Sequence, residues 1–502
     1  MSLSESRADP ASPAPATDTR GLFLRTFPSI MLPMFLAAVD QTIVSTALPD
    51  IAANLGDVER VSWVVVSYLI AATVAAPVYG RLGDALGRKR LMFAALALFI
   101  LASVLCAVAP TVPLLAAARV LQGFGGGGLM TTSQALVGEA VPPRERGRYQ
   151  GYLASIFMVA STFGPVAGGW ITQHLGWRSV FLVNLPVGLI AAVLVARLPH
   201  RAGSGGRLAF DWPGLALFAL FVVPVLLALE RAQRPEWAAV PLILALVVLG
   251  VGSLLLLLRQ ERRAKPPLIP VGLLREPSIW RADAMGACAG AVVVSGVTFM
   301  PIYLQVVRGV SPGGVGLLLL PLTVGIAFGS LLTGRMIART GRTAIFPSCG
   351  VPVVVLMWTV LAFFAPVIPV RGLPVAFLVM AMAQGTTMPV VQMTVQGLAG
   401  RANLGAASAS VQFSRSIGAA LGTALVGAAL FATLTARDPA AARLFAAVVE
   451  RGPSVLAGLS PARQAAIGAE VAGAFRAAFL VVAGFAAVSA TLAWTLPTRR
   501  VV

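Results

Sequence analysis

Over 502 residues the sequence is 58% hydrophobic and only 11% charged, with a mean hydropathy of +0.86, a balance that excludes a soluble chain of this length. Its net charge of +19 would suit nucleic acid in a soluble protein, but the cations punctuate apolar segments and do not gather on one polar domain, so no nucleic-acid partner is expected. Cys106, Cys288 and Cys349 fall singly in apolar runs, and His174 and His200 stand in loops without partners at ligand spacing, which argues against a disulfide framework or a metal site.

In chain order, residues 1–22 come first, rich in Ser, Pro, Ala and Asp and lacking an apolar core. They are expected to form a disordered cytoplasmic tail, not a signal peptide. Apolar runs of about twenty residues, long enough to cross a hydrocarbon layer, then recur about fourteen times. Their limits are roughly 25–50, 61–80, 91–110, 112–137, 149–172, 178–197, 212–230, 238–258, 281–305, 313–334, 344–366, 373–395, 404–432 and 474–496. An even number puts both termini on one side. With that side cytoplasmic, the inner segments hold the basic clusters around Arg88-Lys89-Arg90, Arg144 to Arg148, Arg201 to Arg207 and Arg259 to Lys265. The short outer loops carry only Arg60, Arg178, Arg231, Arg234, Arg308 and Arg371, so the arginine distribution predicts a cytoplasmic-membrane protein with both termini inside.

Within these runs a few polar residues stand out. Asp40 lies well inside span 1, where a carboxylate needs a partner, a proton or a water-filled cavity. Arg119 in span 4 is its natural partner: counted at 1.5 Å per residue, Asp40 lies roughly 15 Å and Arg119 roughly 10 Å below the outer ends of their helices. A guanidinium favours the ionised acid and loss of water disfavours it, so hydration of a cavity can tip a proton on or off. Between spans 2 and 3 the segment from Gly80 to Arg90 is a charge-dense, glycine-spaced turn; Gly80, Gly83 and Gly87 suit close backbone approach or positive φ. Span 5 contains Gly164-Pro165-Val166-Ala167-Gly168-Gly169, which weakens helix regularity and permits close packing. A degenerate copy of the turn recurs at Gly334 to Thr343, pairing Gly80 with Gly334 and Gly87 with Gly341, with Ala338 at the position of Asp84. The repeat implies two related halves. Residues 23–200 form a first six-helix bundle, 201–265 two inserted helices, and 266–498 a second bundle whose outer loop, 433–473, is expected to form two short amphipathic helices split at Arg451-Gly452-Pro453.

Together these segments resemble the major facilitator superfamily, and within it the fourteen-helix drug/proton antiporters of the EmrB/QacA type. Gly80 to Arg90 is similar to motif A, Arg119-Val120-Leu121-Gln122-Gly123 to motif B, and Gly164 to Gly169 to motif C, with Ala160 in place of a leading glycine. Further landmarks are Trp177 to Gly188, Tyr303-Leu304-Gln305, and Arg415 to Gly422. The resemblance covers nearly all of the chain beyond about residue 22. It implies the major facilitator fold, an all-α polytopic membrane protein of two six-helix bundles plus two inserted helices. It also implies a proton-coupled exporter of amphiphilic drugs or metabolites, with a role in antibiotic resistance. Asp40 and Arg119 would carry proton coupling; Gly80, Asp84, Gly87 and Arg88 would form the conformational switch; Gly164, Pro165, Gly168 and Gly169 would form the antiporter pivot. Asp84 with Arg88 is expected to brace the inner face by meeting a helix end across the bundle interface.

Candidate cavity residues are Gln41, Gln122, Met130, Gln305, Gln384, Met388 and Arg415. Spans 10 and 13 lack acids, Asp283 is expected at the interface, and Arg415 lies roughly 16 Å into span 13, so divalent cations are poor candidate substrates. No cofactor beyond the proton gradient is expected, and no enzyme activity, because no nucleophile cluster or paired carboxylates are visible. Expected partners are an amphiphile, protons, lipid and, in a Gram-negative host, a periplasmic adaptor. An uptake symporter and an envelope-lipid exporter are the alternatives on this scaffold.

Overall fold

The computed structural model describes residues 19–57, 60–142, 145–199, 210–232, 239–264, 267–268, 271–451 and 460–500. Arg144, His200, Arg201, Arg207, Arg234, Lys265, the first eighteen residues of the tail and Gly452-Pro453 lie outside them.

Fourteen long helical segments follow in the described residues. They are α1 (Thr19–Leu55), α2 (Trp63–Leu86), α3 (Arg88–Val108), α4 (Val112–Ala140), α5 (Arg146–Leu175) and α6, in two pieces (Ser179–Leu182 and Asn184–Ala196). The inserted pair is α7 (Trp212–Arg231) and α8 (Val240–Arg263). The second half comprises α9 (Pro277–Val306), α10 (Pro312–Thr340), α11 (Ile345–Phe364), α12, again in two pieces (Leu373–Gln384 and Thr387–Ala399), α13 (Leu404–Arg437) and α14 (Pro461–Trp494). Thirteen of these are long and apolar enough to cross a membrane. The exception is α4, which is glycine-rich and polar because it is enclosed: a Cβ at Gly123 would lie 2.8 Å from the Tyr68 Cα, and one at Gly127 the same distance from the Ala72 Cα. Small residues let these two backbones approach where lipid-facing side chains would hold them apart.

Two apolar cores organise the helices. One runs from Phe27 through Leu198 over α1–α6, the other from Val292 through Ala490 over α9–α14. A smaller cluster of Phe218, Val222, Leu257 and Leu268 ties α7 to α8, and Phe413 of α13 packs 5.1 Å from the Phe218 ring, so the inserted pair docks beside the seam between the bundles. The result is the all-helical, polytopic architecture expected from the hydropathy pattern.

Three local expectations need correction. Helix α1 already begins at Thr19, inside the stretch assigned to the tail. The turn between spans 2 and 3 is a single residue, Gly87 at φ +93°; Gly80 to Leu86 complete α2, and Arg88 opens α3. In the outer segment, the helix Pro439–Arg451 is present, but Pro461, capped by the Ser460 hydroxyl on the Arg463 N–H at 3.4 Å, opens α14 itself and not a separate short helix. Nothing between Pro461 and Trp494 breaks the helix, so it extends continuously into the span. Phe445 of the short helix is 1% exposed and packs 5.6 Å from Phe431 and 6.2 Å from Phe475, which seats that helix on α13 and α14.

Candidate functional site

Inside the first bundle, five helices, α1, α2, α3, α4 and α6, meet at one buried polar point. Asp40 of α1 is 0% exposed and Arg119 of α4 is 1% exposed. Arg119 Nη1 donates to Asp40 Oδ2 at 2.5 Å and to Gln122 Oε1 at 2.8 Å, while Nε donates to the Val64 carbonyl at 2.9 Å. The guanidinium lies 4.1 Å from the centre of the Tyr68 ring, a favourable placement for a desolvated cation. Asp40 Oδ1 accepts from Gln122 Nε2 at 2.9 Å and from Asn184 Nδ2 at 2.7 Å. Ser103 of α3 closes the network, accepting from Gln122 at 2.8 Å and Asn184 at 3.3 Å. A buried ion pair is tolerated only when its remaining lone pairs and protons are satisfied, and here both carboxylate oxygens are.

The glycines of α5 lean on the helix that carries this acid. A Cβ at Gly164 would overlap Thr42, two residues beyond Asp40, and one at Gly168 would lie 2.8 Å from the Ile43 carbonyl oxygen. The Thr42 hydroxyl in turn lies 3.0 Å from the Ala160 carbonyl. Gly169 faces open space, and Pro165 sits within the helix.

At the arginine-rich end, where α2 gives way to α3, the two bundles touch backbone to backbone. A Cβ at Gly80 would lie 2.6 Å from the Gly405 carbonyl oxygen. One turn on, Asp84 accepts the Gly405 N–H at 3.1 and 3.2 Å and the Ala406 N–H at 3.4 Å, at the N-terminus of α13. Arg88 bonds both Asp84 and Glu139 of α4. The related seam pairs Gly334 of α10 with Gly147 of α5, and Gly341 repeats the positive φ of Gly87, at +66°. Gln396 of α12 also reaches across, donating to the Gln134 carbonyl at 3.1 Å. Gly83 has only an ordinary contact, 3.6 Å from the Arg88 side chain.

The remaining candidates do not form one group. Gln122 belongs to the Asp40 network and Met130, 2% exposed, to the first core, so both are packed inside the bundle and do not line a shared cavity. Gln41 and Gln305 are half-buried, Gln384 is 8% exposed, and Met388 packs at the edge of a small cluster in the second half. Arg415 donates to Gln412 at 3.0 Å and its guanidinium lies 5.2 Å from the Phe157 ring of α5, across the bundle interface. Asp283, expected at the interface, is 5% exposed because α13 covers it. The sequence reading does not name Asn184, which bonds Asp40, or Ser103 and Tyr68, which join through Gln122 and Arg119; the available signal is a lone amide or hydroxyl in an apolar span.

A sequence model described as the Major Facilitator Superfamily matches residues 30–423. An uncharacterized transporter of this type from Mycobacterium tuberculosis is 33% identical over 402 residues, covering 80% of this chain, which spans 58% of that relative's length. A multidrug transporter of Bacillus subtilis is 30% identical over 412 residues, with 80% of this chain and 74% of that one covered. Among solved structures, the human organic anion transporter MFSD10 superposes with a TM-score of 0.63 at 14% identity, over 94% of this chain and 99% of its own. A proton:xylose symporter gives 0.60 at 15% identity, over 95% and 96%. At those identities the likeness is one of fold.

Proposed function

The chain belongs to the major facilitator superfamily of transporters, and on that premise we propose that it is a proton-coupled exporter of amphiphilic small molecules across the cytoplasmic membrane. The observation that carries this proposal is the wholly buried Asp40–Arg119 pair, with both carboxylate oxygens hydrogen-bonded. An intramembrane acid held this way is the natural place for a proton to bind and leave as the bundles rock. The likeness to a multidrug transporter of Bacillus subtilis supports export over uptake.

In this proposal the arginine-rich end is cytoplasmic and both termini lie there. The backbone contacts at Gly80–Gly405 and Gly147–Gly334 then close the cytoplasmic side, the arrangement of an outward-facing transporter. Residues 23–200 and 266–498 act as the two rocking bundles about the inserted 201–265 pair, with the α1–α5 glycine contact as pivot. Arg415 beside Phe157 faces the seam with a fixed positive charge, which favours neutral, singly charged or anionic amphiphiles over divalent cations. A periplasmic adaptor belongs to this proposal only where the host has an outer membrane.

The deciding experiment measures proton-driven ethidium transport in inverted vesicles from an efflux-deficient bacterium, with and without a protonophore. Activity that collapses with the protonophore and with Asp40→Asn supports the assignment; full activity in Asp40→Asn membranes rejects it.

A further inference from the structure

A second buried acid has no such partners. Asp283 sits in the second turn of α9, roughly 9 Å from the start of that helix at 1.5 Å per residue. Its Oδ1 receives only a 3.4 Å contact from the Ser410 hydroxyl, which lies nearer the Ala407 carbonyl at 3.1 Å, and Oδ2 is buried with no hydrogen bond. Among the described residues no cation pairs with it. Asp40 and Asp84, by contrast, are both fully engaged. A buried charge left like this is costly unless something else satisfies it.

Beside Asp283 lies a cavity of about 360 Å³ walled by Pro77 of α2, Phe218 of α7, Trp280 of α9, and Ala409 and Phe413 of α13. That size is within the range of sites for drug-sized ligands. Among the described residues lining it, Asp283 is the sole charged side chain; the rest of the wall is aromatic, aliphatic or hydroxylic. Trp280 in its wall is 42% exposed, so the cavity reaches the surface of the protein near the start of α9. Helix α13 separates it from the side of the interface that faces α5: Ser410, Phe413 and Ile417 face the cavity, while Gln412 and Arg415 occupy the other side, toward Phe157.

We propose that this cavity, between the inserted helix α7 and the α2–α13 seam, is a binding site for lipophilic monocations carrying N–H donors, reached from the membrane leaflet on the arginine-rich side. The ammonium or aromatic amine donates to Asp283 Oδ2, and the apolar body lies between Phe218, Phe413 and Trp280. The site takes one wall from each bundle and one from the inserted pair. It is therefore complete only while Gly80 and Gly405 are in contact, and it is separate from the Asp40 network. It extends the proposed export function by naming a substrate class and an entry side, and so rests on that proposal for its physiological direction, though its occupancy can be measured without any gradient.

The test is ethidium fluorescence titration of the full chain in phosphatidylcholine nanodiscs, with no proton gradient. Saturable binding is expected. Dodecylamine should displace ethidium, and dodecanol, of the same chain length but uncharged, should not. Asp283→Asn is expected to weaken binding at least tenfold and Asp283→Glu to retain most of it; Ala284→Trp, which fills the cavity from α9 with the acid intact, should abolish it. Binding is read without a gradient, so saturable, Asp283-dependent ethidium binding in a chain that shows no proton-driven transport overturns the coupling assignment alone, and transport without Asp283-dependent binding overturns this site alone. Unchanged affinity in Asp283→Asn, or equal displacement by dodecanol, overturns the proposal. Unfolding temperatures keep the outcome interpretable: removing an unsatisfied buried charge should leave Asp283→Asn at least as stable as the unsubstituted protein.

Discussion

Asp84 accepts the N–H of Gly405, 321 residues further along the chain, and so caps the first turn of a helix belonging to the other bundle. A carboxylate at a helix N-terminus is stabilised by the unpaired amides and by the helix dipole, together worth about 1–2 kcal/mol. Asp84→Ala is therefore expected to shift the closed arginine-rich end toward opening by roughly 5- to 30-fold. Maleimide labelling of Ala409→Cys, buried beneath Gly80 in the closed state, should accelerate by that factor, with a smaller change in substrate affinity. An equal loss of affinity would mean that Asp84 contributes to binding and not to the switch.

At Gly80 the constraint is space. Any side chain there collides with the Gly405 backbone, 2.6 Å from where its Cβ would lie. Gly80→Val is expected to reach the membrane at normal levels, since the collision is between bundles, but to favour the opened end by about 1–3 kcal/mol and lose most transport. Gly83→Ala, with only a 3.6 Å neighbour, should transport almost normally. Efflux assays on the two variants side by side decide the point.

For the Asp40–Arg119 pair a double substitution separates stability from coupling. Asp40→Asn leaves the guanidinium buried without its counter-charge, an imbalance that costs about 3–5 kcal/mol. Adding Arg119→Gln removes the stranded charge and should recover much of the unfolding temperature, while proton-driven transport stays absent. Recovered transport in the double variant would show that the acid is structural.

Gly164 tests the α1–α5 contact. A side chain there displaces Thr42 and with it the helix carrying Asp40. Gly164→Val is expected to reduce transport at least tenfold, whereas Gly169→Ala, which meets nothing, should be silent in the same assay.

Phe445, 1% exposed among Phe431 and Phe475, anchors the short outer helix to α13 and α14. Phe445→Ala should lower stability by about 3–5 kcal/mol in a detergent melt. If that helix were a movable lid, the same change would alter transport and leave the melt untouched.

Much of this architecture is legible in the sequence because lipid imposes one rule, that every spanning segment satisfy its own backbone. The fourteen runs follow from it, including α4, whose glycines and polar residues weaken its hydropathy. Asp40 and Arg119 were matched by depth alone, since two opposite charges inside a membrane have few other places to go. What the pattern did not carry was helix rotation. Gln122 and Met130 pass for cavity residues in one dimension, yet α4 turns them into the bundle. Asn184 and Ser103 enter the network only because α6 and α3 happen to face α1. The same holds for Asp283: its distance from the helix end is legible in the sequence, but its cover by α13 depends on which side of α9 it occupies.

The two seams at the arginine-rich end are not equals. Where α2 meets α13 the joint is fastened by charge; where α10 meets α5, Gly334 fits Gly147 and Ala338 stands in the place of the acid. The second joint is held by neutral packing, by Arg335 of α10 on the Tyr152 hydroxyl of α5 and by the Thr162–Thr323 hydroxyl contact at 3.4 Å. The two joints therefore answer to different substitutions: a change of charge at residue 84 acts on the α2–α13 side alone, and a change of size at residue 147 or 334 on the α5–α10 side alone.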